Sequence, residues 1–246
     1  MSTARQWVGS LLFTIYLFVS VPPYAVVTFL AAAIPGLGAY RVARLWAGSV
    51  LRVLKLLCRL DHRVEGLAHL DGENSVVLLK HSSAWETIAQ FVIFPRQTWV
   101  MKRELLWVPI LGWVLLLLDP IAINRKGGRN AVEQVLRLGR RRLEHGYWVM
   151  IFPEGTRVPV GEKRRYGISG ALLAVTAGRD VIPVAHNAGS FWPRRALLKR
   201  PGTIKLTIGP RIATSGRDAR AINAQVEAWI DAELAAYEAG REPSRL

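Results

Sequence analysis

Val76-Val77-Leu78-Leu79-Lys80-His81-Ser82-Ser83-Ala84-Trp85-Glu86-Thr87 joins two different kinds of local structure. The apolar run at its start is short and opens on β-branched valines, which suits a strand. An imidazole closes the run, and Glu86 follows five residues later at the start of a new periodic segment. Ser83-x-x-Glu86 has the form of a capping box, so a helix is expected to begin there. Polar residues stand between the strand and the helix. That is where α/β sheets place ligands, off the carboxyl ends of their strands.

The same alternation continues outward. Strands are predicted at 75–80, 98–101, 120–124, 147–152, 181–185 and 203–208, and helices at 84–93, 104–118, 128–144, 167–178 and 219–238. Such a succession implies an α/β fold with a mostly parallel sheet and helices on both faces. The segment 105–118 is almost purely apolar but is broken by Pro109 and Gly112. It reads either as a buried helix or as a second surface that enters lipid. The tail from Gly240 to Leu246 is polar and is expected to fray.

Four strand ends carry residues with chemistry. His81 and Glu86 are candidate catalytic residues: a neutral imidazole can take a proton from an alcohol, and a carboxylate fixes its tautomer and steadies the imidazolium that forms. The competing reading of Glu86 is a helix cap that satisfies a backbone N–H and nothing else. Phe152-Pro153-Glu154-Gly155-Thr156-Arg157 closes another apolar run with turn residues and a guanidinium suited to holding phosphate bidentately; alone, that arginine reads equally as a solvated charge. Lys102-Arg103 and Asn124-Arg125-Lys126 end two more strands, so cations gather beside the His81 loop as a phosphate pocket requires. Val181-Ile182-Pro183-Val184 reads as a pocket wall, with Pro183 suited to an edge or a bulge.

Other chemistries lack their signatures. No Gly-x-Ser-x-Gly elbow, phosphate-binding P-loop, His-Glu-x-x-His helix or paired-cysteine motif occurs. His62, His69, His145 and His186 show no ligand spacing, so no metal is expected. Cys58 is the single cysteine; it excludes an intrachain disulfide and is expected to pack rather than react.

The chain has 246 residues and a formal charge of +15, enough for one catalytic domain with an appendage and a preference for acidic partners. Gln6 to Tyr40 is a 35-residue stretch without charge, too long for one straight span of a hydrocarbon core about 30 Å thick. Interruptions at Pro22-Pro23 and Pro35-Gly36 suit two apolar arms broken at Pro22-Pro23, a hairpin held to the cytoplasmic side by Arg5, Arg41 and Arg44; the competing reading is an uncleaved signal-like sequence. Residues 41–60 follow as an amphipathic helix, lying in the headgroup layer or packed on a soluble core. Residues 1–62 are therefore expected as a membrane-associated part and 63–246 as the α/β domain. An apolar hairpin beside a basic helix favours anionic lipid over nucleic acid as the partner of the charge, although basic runs such as Lys163-Arg164-Arg165 would suit either.

In these blocks the sequence resembles the glycerolipid acyltransferase family, in particular the bacterial 1-acyl-glycerol-3-phosphate acyltransferases. The resemblance covers roughly residues 75–190: Lys80 to Glu86, Lys102-Arg103-Glu104-Leu105 with Ile121 to Arg125, Phe152 to Arg157, and Val181 to Val184, in that order. It implies a mixed-sheet α/β domain preceded by a membrane-associating two-helix element. It implies that His81 is the general base toward the hydroxyl of lysophosphatidic acid, that Glu86 orients it, and that Arg157, Lys102 and Arg125 clamp the substrate phosphate. Glu154 and Gly155, with Thr156, would shape the glycerol pocket. No cofactor is implied beyond the acyl donor, a thioester of coenzyme A or of acyl carrier protein. The family's usual carboxylate is aspartate, so Glu86 departs by one methylene, a change in reach more than in charge. Two alternatives stand beside this: acylation of another lysolipid such as a lyso-amino-lipid, or a non-catalytic basic membrane adaptor.

Overall fold

The apolar runs become strands of one sheet. The computed structural model describes residues 3–34 and 38–240, Lys126 in its backbone alone, so the Pro35-Gly36 interruption, the Lys126 side chain and the tail beyond Gly240 lie outside the described residues. Seven strands, β1 (Leu60–Glu65), β2 (Val76–Leu79), β3 (Gln97–Lys102), β4 (Ile121–Ile123), β5 (Trp148–Ile151), β6 (Val181–His186) and β7 (Gly202–Ile208), are ordered β1-β7-β6-β2-β5-β3-β4. All neighbours are parallel except β6 and β7. The sheet is thus mixed and mostly parallel, as expected.

The helices are α1 (Thr3–Val19), α2 (Val21–Ala33), α3 (Ala39–Cys58), α4 (Trp85–Ile93), α5 (Leu111–Leu116), α6 (Arg129–Glu144), α7 (Ser169–Ala177), α8 (Ala188–Phe191) and α9 (Ala219–Glu238). They divide the sheet's residues by the pleat. On β2, Val77 and Leu79 pack with α3 and α4, including Val50, Leu54, Trp85 and Ala89. Val76 and Leu78 face α6, α7 and α9, including Val135, Leu173 and Val226. Both faces of the central strands are covered, which is why those strands read as unbroken apolar runs.

β1 and the segment after β3 differ from the sequence expectation. β1 is absent from it, because Leu60-Asp61-His62-Arg63-Val64-Glu65 is mostly polar and pairs only with β7 at the sheet edge. The helix expected over 104–118 is a 3₁₀ turn at Arg103–Trp107 followed by the short α5. Pro109 and an Ile110 held at φ 64° separate them, a positive φ that is costly for a β-branched residue. Trp107 is 70% and Trp113 56% exposed, so the segment is an apolar surface and not a buried helix.

The N-terminal hairpin folds at a different place. Pro22 and Pro23 are the second and third residues of α2, in the first turn, where a missing N–H is best tolerated. Backbone bonds from Ser20 N to Tyr16 O (2.9 Å) and Tyr24 N to Ser20 O (3.3 Å) carry the helical ladder across the junction. α1 and α2 therefore form one arm, Thr3–Ala33, long and apolar enough to cross a membrane. α3 is the returning arm. Its Ser49 accepts from the Tyr16 hydroxyl at 2.9 Å, and Trp46 Nε1 donates to Ser20 Oγ at 3.0 Å. Further along, a Cβ on Gly9 would lie 2.3 Å from the Leu57 carbonyl, a closeness only glycine permits. α3 also packs on α4 and contributes Val50, Leu54 and a buried Cys58 to the core of the sheet. The chain thus carries a long apolar helical segment at its N-terminus that is consistent with membrane association.

Candidate active site

The loop after β2 is organised by one oxygen. Glu86 lies in the first turn of α4, and its Oε1 accepts three hydrogen bonds: from His81 Nδ1 at 2.9 Å, Ser82 N at 2.9 Å and Ser83 N at 2.8 Å. The backbone N–H contacts of a cap and the contact with the His81 ring fall on the same atom. Because Nδ1 donates to the carboxylate, Nε2 is the nitrogen that carries the lone pair in a neutral ring. The His81 ring stacks on Phe152 with centroids 4.0 Å apart, which fixes the ring plane. Glu86 is fully buried. Burial alone would raise its pKa, but the His186 and His81 imidazoles and the Ser83 N–H outweigh that and hold the carboxyl below its ordinary range.

The Pro-Glu-Gly turn after β5 is tied to this loop. Glu154 Oε2 accepts the His81 backbone N–H at 2.7 Å, and Oε1 pairs with Lys80 Nζ. Val158 N donates to His81 O at 2.8 Å. Burial raises the Glu154 pKa against the pull of Lys80. Removing one partner of such a buried pair costs about 3–5 kcal/mol. Gly155 holds φ 68°, the left-handed conformation glycine adopts without strain, and this lets the chain reverse so that Arg157 returns toward His81.

His81, Lys102, Arg125 and Arg157 line one cavity of about 400 Å³. Apart from Thr87 and Gln90 its remaining walls are apolar, with Trp46, Ile88, Phe91, Trp99 and Leu115 among them. Arg157 Nε is buried without a hydrogen-bond partner. Burial lowers its pKa while Glu86 opposes. Burial likewise lowers that of Arg125, opposed by Glu104, and Arg125 donates to the Gly155 carbonyl. Glu154, Gly155 and Thr156 are not among the residues lining this cavity. The first two act on its shape from behind, through the Lys80 pair and the Arg125 contact.

Spacing in the sequence missed His186. It is fully buried at the end of β6, its Nε2 donates to Lys80 O at 2.8 Å, and its Nδ1 accepts from Ala188 N at 3.2 Å. Both ring nitrogens are used as in a neutral imidazole, in keeping with a pKa lowered by burial. Nε2 also lies 3.8 Å from Glu86 Oε2, an oxygen with no hydrogen-bond partner. Only the parallel pairing of β6 with β2 brings these groups together, and no local signal reports it. Pro183 differs from the edge expectation in the same strand: β6 is interior. Pro183 O accepts from Gly209 N, and Val181 pairs with Ile212. One extra residue on the β7 side therefore faces Pro183, and this bulge spares it a donor.

A histidine–carboxylate pair and three cations around an apolar cavity, mounted on strand ends of an α/β sheet, define an acyl-transfer enzyme acting on an anionic, apolar substrate. Residues 61–187 match the Acyltransferase family, and the chain belongs to it. It is 41% identical over 211 residues, 84% of this chain and 82% of the relative, to the 1-acyl-sn-glycerol-3-phosphate acyltransferase of Pseudomonas aeruginosa. It is 29% identical over 154 residues, 62% of this chain and 55% of the relative, to human 1-acyl-sn-glycerol-3-phosphate acyltransferase beta. The crystal structure of the 1-acyl-sn-glycerophosphate acyltransferase PlsC from Thermotoga maritima shares the fold, with a TM-score of 0.82 at 20% identity, covering 99% of this chain and 100% of that one.

Proposed function

We propose that the protein transfers an acyl chain from an acyl thioester to the sn-2 hydroxyl of 1-acyl-glycerol 3-phosphate, forming phosphatidic acid. The observation that carries this reading is the shared cavity: the base and the phosphate-binding cations face the same apolar space. Arg157, Lys102 and Arg125 hold the phosphomonoester, and the apolar walls take the existing acyl chain. His81 Nε2 removes the hydroxyl proton as the oxygen attacks the thioester carbonyl. The C–S bond then breaks, and the imidazolium returns the proton to the departing thiolate. Glu86 keeps the proton on Nδ1 and stabilises the imidazolium, while Glu154 positions the loop through Lys80 and the His81 N–H. No acyl-enzyme forms. Binding both substrates in line supplies much of the acceleration.

The protein works at the inner membrane with its catalytic part, residues 63–246, facing the cytoplasm. The exposed apolar sides of α1 and α2, with Phe18, Val19 and Leu30, enter the bilayer, and Trp107 and Trp113 sit at its surface. The net charge of +15 draws the protein to anionic lipid. The test is product formation by purified protein in lipid micelles, supplied with labelled acyl thioester and lysophosphatidic acid. Phosphatidic acid from the parent, and none from His81→Ala, is expected. An inactive parent, or a fully active His81→Ala, defeats the mechanism; equal rates on a lysolipid without a phosphomonoester defeat the acceptor assignment.

A further inference from the structure

The rim of the sheet carries a second group of cations. β2, β5, β3 and β4 lie side by side and bring His81, Arg157, Lys102 and Arg125 to one side of the His81 loop. On the other side, β6 ends at His186 and returns antiparallel as β7 from Gly202, so the connection between them lies at the same end of the sheet. That connection holds Arg194, Arg195, Lys199 and Arg200 and no carboxylate.

Its anchoring is specific. Lys199 turns inward, its Nζ bonded to Thr14 Oγ1 at 2.6 Å and Leu197 O at 2.8 Å, beside the Phe13 and Trp192 rings. Trp192 O accepts from Ser83 Oγ at 2.6 Å, which joins the connection to the catalytic loop. Arg194, Arg195 and Arg200 remain exposed. Between Arg194 and Arg200 and the chain after Arg157 opens a cleft of about 370 Å³, lined also by Ser82, Pro159, Val160 and Gly189 among others. Ser82 directly follows His81, and Arg194 is close enough to Arg157 to repel it. The cleft thus adjoins the phosphate cavity across the His81 loop.

Two anionic substrates must meet at one imidazole. The acceptor's phosphate and acyl chain occupy the cavity described above, so the thioester has to reach His81 from another direction, and its own phosphates need their own cations. We propose that the cleft between Pro159-Val160 and the Arg194–Arg200 connection receives the phosphate-bearing end of an acyl-coenzyme A donor. Arg194 and Arg200 grip its phosphates, Pro159 and Val160 flank the pantetheine arm, and the thioester passes Ser82 to reach His81. The inference rests on the acyl-transfer reading of the preceding subsection.

The test compares palmitoyl-CoA with palmitoyl-pantetheine, which lacks every phosphate, as donors to lysophosphatidic acid in neutral detergent micelles. The full-length protein is used with Arg194→Ser and Arg200→Ser combined, and with Arg195→Ser as a neighbour outside the cleft. The double variant should raise the apparent KM for palmitoyl-CoA by about tenfold or more, one charge-assisted contact being worth about that factor. Its KM for lysophosphatidic acid and its rate with palmitoyl-pantetheine should match the parent, and Arg195→Ser should match the parent throughout. An unchanged KM for palmitoyl-CoA overturns the proposal, as does an equal loss with palmitoyl-pantetheine. Loss of binding to anionic vesicles with an unchanged donor KM also overturns it and assigns these arginines to lipid headgroups. A parent that turns over only the acyl carrier protein thioester overturns the coenzyme A assignment, whereas a parent inactive with every thioester overturns the acyl-transfer reading itself.

Discussion

Replacing Glu86 with glutamine isolates charge from geometry. The amide oxygen can still accept from His81 Nδ1, Ser82 N and Ser83 N, which now converge on Oε1 within 2.9 Å. The loop should therefore keep its shape and substrate its binding. What disappears is the negative charge beside an imidazole that becomes cationic only as the proton moves. Two unit charges about 4 Å apart at an effective dielectric of about 20 interact by about 4 kcal/mol, and each 1.4 kcal/mol or so is a factor of ten in rate. Glu86→Gln should thus lower kcat by about a thousandfold with KM within a few-fold. Glu86→Asp keeps the charge but loses a methylene of reach, so it cannot serve all three donors, and a shift of this size costs about 10- to 100-fold. Initial rates across lysophosphatidic acid concentration, with thermal melting to verify folding, check both. A glutamine variant within tenfold of the parent kcat, or a glutamine variant more active than the aspartate one, would refute the reasoning.

Arg157→Ala removes a guanidinium whose Nε has no protein partner, and the lost charge-assisted contact of about 1.5–3 kcal/mol should raise the KM for lysophosphatidic acid by about 10- to 150-fold. Arg157→Lys should recover part of it, and an unchanged KM in the alanine variant would remove arginine from phosphate binding. His186→Gln should lower kcat about tenfold in the parent yet add nothing in the Glu86→Gln background, because it acts through Glu86; additive losses would make His186 a purely structural residue. The same variant tests a pH dependence. Burial holds the native His186 pKa below its ordinary 6.5, so the unfolded chain binds a proton there that the native one does not. Its contribution to stability is whole above pH 6.5 and falls below it by at most about 1.4 kcal/mol per pH unit. His62, also lowered by burial, adds in the same sense. Melting curves from about pH 7.5 to 5.5 should therefore slope less in His186→Gln, and an identical slope rejects the assignment.

Much of this protein is written locally. Strand and helix periods, the capping box at Ser83-x-x-Glu86 and the turn at Pro153-Glu154-Gly155 all depend on neighbours within a few residues, and the structure keeps them, with α9 at Ala219–Glu238 as the sequence predicts. The resemblance to acyltransferases rested on such blocks and holds at the level of the family. Burial and distant pairing are different in kind. β1 is a strand because β7 lies beside it, not because Asp61 and Arg63 favour one. The 105–118 segment is equally apolar whether buried or exposed, and only packing against the rest of the molecule decided for the surface. The helical path continues through Pro22-Pro23 and the returning arm is α3, because proline is tolerated in the first turn of a helix. His186 reaches Glu86 across 100 residues through the β2–β6 ladder. The sequence by itself determined which elements form and which side chains bear chemistry, since both are properties of short segments. The tertiary structure alone decided which of those side chains share a cavity, because that depends on strand order, a sum over contacts between residues remote in the chain.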